Sequence, residues 1–216
     1  MDKKIAIVTL TWNDWKNTVE CLESIFNSSY NFFDVILIDN NSEKYHLDKI
    51  FTWANNQINV KDEEFDFNPN KNLQIININK DYVIEKPGQK KIFLLRNEKN
   101  LGLTAGLNVG YDFLIKQNYD YIARIDCDFI ISKKYLENMK NLFQQDKMIV
   151  AASPKIKHAF LRNTIWWAGL KINWSYLKFQ RTMNLKKKRI KDSALLQGLI
   201  ETDAVCGCCS FYKINA

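Results

Sequence analysis

A chain of 216 residues suits one domain, or one domain with an appendage. Its composition, 46% hydrophobic and 25% charged, is that of a globular protein and excludes both disorder and a collagen-like fibre. The formal charge of +7 favours anionic partners such as nucleotide phosphates, nucleic acid or an acidic membrane face, without choosing among them.

The first residues superficially resemble a signal peptide, but the apolar run is short and ends in Thr11-Trp12-Asn13-Asp14, with no small-residue cleavage site. Ile5–Thr11 reads instead as a strand covered on both faces. Asn13 or Asp14 then caps a helix to about Asn27, with Val19, Leu22, Ile25 and Phe26 as its apolar stripe. Residues 34–39 form a second buried strand ending in Asp39-Asn40-Asn41-Ser42, and a weaker helix follows over 44–56. Residues 57–91, rich in Asn, Asp and Lys, read as an insertion, a hairpin with a strand-like run at 73–78. A third strand at 92–95, a helix over 103–116 and a fourth strand at Tyr121–Ile125 lead into Asp126-Cys127-Asp128. Ser132 or Lys133 opens a helix to about Gln145, and 149–152 is a fifth strand. Beyond Lys155 the pattern changes to a strand at 164–174, a basic stretch at 178–191 and an apolar strand at 204–212.

Strands alternating with helices imply right-handed crossovers and a mostly parallel sheet, with ligands beyond the carboxyl ends of the strands. Those ends carry Thr11-Trp12-Asn13, Asp39-Asn40-Asn41, residues 97–102 and Asp126 to Asp128, all polar and all on one edge. That coincidence points to a nucleotide site. No run of about 18 apolar residues is present to span a membrane. Five cysteines, three of them crowded at Cys206, Cys208 and Cys209, make no spaced disulfide framework and read as reduced thiols of a cytosolic protein. The trio has no nearby His to complete a zinc site.

Asp126 and Asp128 on a short tether repel unless a cation lies beside them, and a hard divalent ion with oxygen ligands resolves this while bridging to substrate phosphates. Asp39, directly after its strand, is placed to accept from a base N–H or a ribose hydroxyl, or else to cap the next helix; Asn40 and Asn41 serve the turn. From Asn100 to Gly110 small residues let backbone approach a ligand at a helix start, or pack helix tightly on sheet.

Together these segments resemble glycosyltransferase family 2, with its GT-A-type Rossmann-like α/β sandwich. Thr11-Trp12-Asn13 looks like the family's first strand end, and Ile38-Asp39-Asn40-Asn41-Ser42 its V-D-N-x-S. Residues 97–110 match N-x-x-N-x-G-x-x-x-G-x-N-x-G, and Asp126-Cys127-Asp128 its Asp-X-Asp. The second-strand and Asn-X-Gly details look most like a rhamnosyltransferase-type branch. The resemblance implies nucleotide-sugar contacts from Leu10, Thr11, Trp12, Asn13, Asp39, Asn41, Asn100, Gly102, Leu103, Gly106, Asn108 and Asp126. It also implies Mn²⁺ or Mg²⁺ on Asp126 and Asp128, and a UDP- or dTDP-sugar as donor. The acceptor would be a saccharide or lipid-linked saccharide of cell-surface polysaccharide or glycolipid synthesis. Residues 1–152 would bind the donor and 153–216 begin the acceptor side. Residues 203–209 look like a later family strand, V-D-x-V-x-G-x-x, after which members carry an acidic general base; none follows before Ala216, so the base is expected beyond it. Glu201 and Asp203 are the nearest acids.

Two further readings concern surfaces. The basic stretch 178–191 suits an anionic membrane face, placing the protein peripherally on the inner leaflet, or is a solvated loop. Trp166-Trp167 suits stacking on a sugar or burial in a strand. Competing classes are a nucleotide-sugar-binding module without turnover, a nucleotidyltransferase and a nucleic-acid protein. The nucleotidyltransferase would want a Gly-rich, Arg-containing loop after the first strand, which residues 10–15 lack. For nucleic acid the basic residues are not interleaved with a stacking platform.

Overall fold

The computed structural model describes residues 2–58, 73–161, 164–175, 178–181 and 198–214. The chain forms two units, one of Met1–Val150 with Phe211–Ala216 and one of Ala151–Ser210.

The first unit is built on β1 (Ile5–Thr11) and β2 (Phe33–Asp39). Their apolar runs are buried along nearly their whole length because helices cover both faces of the sheet they form. Between them runs α1 (Trp15–Phe26), capped by the Asp14 carboxylate, which accepts from Asn17 N. After β2 come α2 (Lys44–Ala54), β3 (Ile75–Ile78), β4 (Ile92–Arg96) and α3 (Gly102–Leu114). Then follow β5 (Tyr121–Ile125) and α4 (Tyr135–Gln145). The second unit holds β6 (Ala151–Ala152), β7 (Ile156–Lys157), β8 (Ile165–Trp167), β9 (Leu170–Asn173) and β10 (Lys178–Arg181). Last is β11 (Cys209–Lys213), whose residues 211–213 return to the first unit.

In that unit the strands lie in the order β3-β4-β2-β1-β5-β11. β1, β2, β3, β4 and β5 are mutually parallel, which makes the architecture the expected α/β sandwich. At the end of β11, Ile214 N donates to Asp120 O at the start of β5, so these two strands run in opposite directions. One face of the sheet presents Ala6, Val8, Ile36, Ile38, Phe93 and Leu95 to Leu107, Phe113 and Leu114. Full burial of each large side chain there contributes about 1.5–3 kcal/mol. On α1 and α2, Trp53 Nε1 donates to Glu23 Oε2 at 2.9 Å, so the buried indole and carboxylate satisfy each other.

Several expectations are corrected. The run at 73–78 is no hairpin: β3 pairs parallel with β4, Ile75 opposite Ile92, as an edge strand. Residues 59–72 of the insertion lie outside the described residues. The single strand expected at 164–174 is β8 and β9, parted where Gly169 takes φ +96, a left-handed backbone that a continuous strand cannot hold. β9 pairs antiparallel with β10, and β7 with β8. The strand expected over 204–212 is regular only from Cys209; Ala204 makes one isolated bridge with Leu170. Most of the basic stretch 178–191 lies outside the described residues. Among those that are described, no helix is long and apolar enough to cross a membrane.

Candidate functional site

Register brings the strand ends together. Thr11 lies opposite Asp39 across β1 and β2, and Asp39 opposite Arg96 across β2 and β4. The ladder continues into the loops, with Asn40 N donating to Thr11 O and Asn97 N to Asp39 O, both at 2.9 Å. Asn13 and Asn41 take φ of 53° and 66°, a left-handed turn that Asn tolerates better than most residues. The two turns are stapled: Asn13 N donates to Ser42 Oγ at 2.9 Å and Glu43 N to Asn13 Oδ1 at 2.8 Å. The Thr11 hydroxyl is engaged internally with Thr18 Oγ1 at 2.7 Å, whereas Trp12 is half exposed at the edge.

Asp39 is fully buried. Its Oδ1 accepts from Ser42 N at 2.9 Å. Its Oδ2 lies 3.1 Å from Arg96 Nε but receives no properly directed hydrogen bond. The ion pair and the unsatisfied oxygen are compatible, since proximity gives attraction without the alignment a hydrogen bond needs. Arg96 is steadied separately through Nη2 to Ser42 O at 2.9 Å.

Asn40, also buried, ties β2 to the loop before α3. Its Nδ2 donates to Asn100 Oδ1 at 2.7 Å and Gly102 O at 3.2 Å. Its Oδ1 accepts from Asn97 Nδ2 and Leu101 N, each at 3.0 Å. Gly106 sits where a Cβ would come within 2.6 Å of Leu10 Cδ1 and 3.2 Å of Asn40 Oδ1, and Gly110 where it would meet Ile38 Cδ1 at 2.4 Å. Close helix–sheet packing accounts for both glycines.

At the end of β5, Arg124 holds Asp126 in a forked pair, Nε to Oδ1 at 3.0 Å and Nη2 to Oδ2 at 3.4 Å. Asp128 is exposed. Between them burial pushes the Cys127 thiol up to about 11, with the Asp14 and Asp128 charges adding to it, so it stays protonated at neutral pH. Among the described residues no group of three or more His, Cys, Asp or Glu is placed to hold a metal ion. A groove of about 510 Å³ opens beside Arg124, walled by Leu103, Leu107, Asn108 and Tyr111 of α3, with Tyr212 of β11 opposite. Burial raises the Tyr111 phenol above its ordinary value, while Arg124 pulls it the other way.

This edge is paired with a sequence match. The family model of glycosyl transferase family 2 matches residues 6–80 and 74–206. The chain belongs to glycosyl transferase family 2. Solved structures of similar fold include residues 1–349 of S. aureus TarS, at 17% identity and a TM-score of 0.50, covering 74% of this chain and 37% of that one. A longer TarS structure gives 17% and 0.51, covering 74% and 22%. The mannosyltransferase PcManGT from Pyrobaculum calidifontis, in complex with GDP-Man and Mn²⁺, gives 14% and 0.52, covering 73% and 36%. The chain thus spans little more than a third of the length of these structures, or less. No curated protein matches its sequence.

For this family member the edge gathers Thr11, Trp12, Asn13, Asp39, Asn41, Asn100 and Gly102 around the stapled turns, while Asp126 and Asp128 stand at the end of β5. Sequence reasoning missed Arg96 and Arg124 and assigned Asn40 to turn geometry alone. The available signal was a lone arginine closing one apolar strand and interrupting another. In the second unit, Asp203 accepts from Ile172 N at 2.7 Å and Lys171 Nζ at 3.3 Å, which hold its carboxyl below the usual carboxylate range. That makes Asp203 a poor proton acceptor. Trp167 Nε1 reaches Ser153 Oγ at 3.3 Å, a structural tie within the unit.

Proposed function

We propose that the chain binds a nucleoside-diphosphate sugar along this strand edge and serves its transfer to an acceptor hydroxyl. The observation that carries the reading is Asp39: a fully buried carboxylate whose Oδ2 lacks a hydrogen bond, held at the carboxyl end of the central strands in a family 2 chain. A buried acceptor left unsatisfied costs about 1–3 kcal/mol, which a ligand N–H recovers on binding. A pyrimidine imide N–H in UDP or dTDP supplies that donor; so does guanine in a GDP-sugar such as PcManGT binds. Trp12 offers its exposed face to the base, and the loop at 97–102 faces the ribose and diphosphate.

The residues at the end of β5 fit a hard divalent cation on their donor chemistry. Such ions take one or two carboxylates and complete their shell with substrate phosphates and water, so a site with fewer than three protein ligands is in keeping. Asp128 would hold Mn²⁺ or Mg²⁺ first, because Asp126 is already engaged by Arg124; Asp126 would join as second ligand or turn to the ribose. Once bound, the cation supplies Lewis-acid stabilisation of the departing diphosphate. In an inverting transfer the acceptor oxygen bonds the anomeric carbon as the bond from that carbon to the diphosphate oxygen breaks, and the hydroxyl proton passes to a carboxylate base. Residues 153–216 take the acceptor side in this reading, with a saccharide or lipid-linked saccharide of cell-surface synthesis as acceptor.

Titration calorimetry of the folded chain with UDP, dTDP and GDP, with and without Mn²⁺, tests the reading. Binding that strengthens with metal is expected. A chain shown to be folded that binds none of the three overturns it.

A further inference from the structure

The Asn40 network fixes more than a turn. Leu101 N and Gly102 N are backbone donors, so the side-chain atoms that accept from them, Asn40 Oδ1 and Asn100 Oδ1, must be oxygens. The orientation of both amides is therefore forced by the chain itself rather than chosen. Asn100 Oδ1 accepts twice, from Asn40 Nδ2 at 2.7 Å and from Gly102 N at 2.8 Å. Its other end, Nδ2, has no partner among the described residues and stands at an exposed position. A freely rotating Asn would show a ligand either an acceptor or a donor; this one shows only N–H.

We propose that Asn40 is a positioning residue that locks Asn100 with its Nδ2 outward, as a hydrogen-bond donor to a ribose or phosphate oxygen of the bound nucleotide. The inference rests on the donor-site reading above and assigns the polarity of one contact within it. Ordering this side chain before binding removes part of the entropy that a mobile Asn would lose on contact.

Three variants of the full chain separate the steps, each read by nucleotide calorimetry, thermal melting and amide hydrogen exchange. Asn100→Asp keeps an oxygen for Asn40 Nδ2 and Gly102 N but replaces the outward N–H by a charged acceptor. It is expected to melt like the wild type and to lose about tenfold or more in nucleotide affinity. Asn40→Asp keeps the acceptor for Leu101 N while losing the donor to Asn100; Leu101 stays protected and affinity still falls. In Asn40→Ala the Leu101 amide exchanges about tenfold or more faster, while core amides such as Val8 are unchanged. Unchanged exchange at Leu101 in Asn40→Ala overturns the clamp. Asn100→Asp or Asn40→Asp binding as tightly as wild type overturns this inference alone, whereas a wild-type chain that binds no nucleotide overturns the donor-site reading on which it stands.

Discussion

Asp39 and Arg96 face each other across β2 and β4, guanidinium Nε 3.1 Å from carboxylate Oδ2, yet only the carboxylate is buried. Half of the Arg96 side chain is in water. An ion pair so exposed on one side is worth at most about 1 kcal/mol. The arrangement therefore pairs Asp39 electrostatically at the floor of the edge without consuming the hydrogen-bonding capacity of its Oδ2.

Asp39→Asn is the direct consequence. The new side chain still offers Oδ1 to Ser42 N, so the turn survives and the melting temperature changes little, Arg96 being free to hydrate. It presents an N–H₂ where the proposed reading docks a base N–H, two donors meeting with no acceptor between them. Affinity for UDP or dTDP is expected to fall by about tenfold to a hundredfold, the cost of one charge-assisted hydrogen bond. Calorimetry beside a thermal melt reads both; full affinity in the variant removes Asp39 from base recognition.

Asp128→Asn and Asp126→Asn should part company. Asp128 is exposed and contributes nothing visible to the fold, so its loss is expected to abolish the metal dependence of nucleotide binding and leave stability unchanged. Asp126 also partners Arg124, whose side chain is only 17% exposed, so Asp126→Asn should in addition cost about 1–2 kcal/mol of stability. Equal metal dependence in wild type and Asp128→Asn would sink the cation assignment.

Much of this was legible in the sequence because its physics is local. β1, β2 and β5 are apolar runs buried on both faces, and their polar ends mark the edge whatever the strand order. The parallel partner of β3 was not legible, since a four-residue edge strand carries no sign of which distant strand it joins. Nor was the role of Asn40, because an Asn after a strand satisfies turn geometry and only the fold shows that residues 97–102 come within reach of its amide. Arg96 and Arg124 announced a charge but not the carboxylate each would face.

Alkaline pH should unfold the first unit through two buried phenols. Tyr30 donates to Lys3 O, and burial pushes its hydroxyl up to about 12. Tyr119 donates to Asp34 Oδ2 at 2.9 Å, and burial with the adjacent carboxylate raises it further. Both pKa values are raised over the unfolded phenol near 10. Their contribution to stability is therefore complete below pH 10 and is lost as pH climbs toward the folded values. Thermal melts from pH 8 to 11.5 should hold steady and then decline above about pH 10. Tyr119→Phe should flatten the decline, at the cost of leaving Asp34 one donor short.

Gly110→Ala sets two effects of opposite sign against each other. In a helix interior alanine is favoured over glycine by about 1 kcal/mol, so an exposed site would gain. Here the new Cβ meets Ile38 Cδ1 at 2.4 Å and Cγ1 at 3.2 Å, with Val8 Cγ1 at 3.5 Å beyond, and Ile38 is fully buried among Val8, Ile36 and Leu107. The isoleucine cannot swing away without displacing that layer, and overpacking of this kind costs about 1–3 kcal/mol. Repulsion should win by about 1 kcal/mol. The companion Gly106→Ala meets the tip of Leu10, a half-buried and more yielding side chain, and the edge of the Asn40 amide. Chemical denaturation of the two variants should show Gly110→Ala less stable than wild type with an unchanged m-value. Gly106→Ala should instead lose protection at Leu101 more than it loses global stability. A stabilised Gly110→Ala would mean that α3 stands further from β2 than 2.4 Å implies.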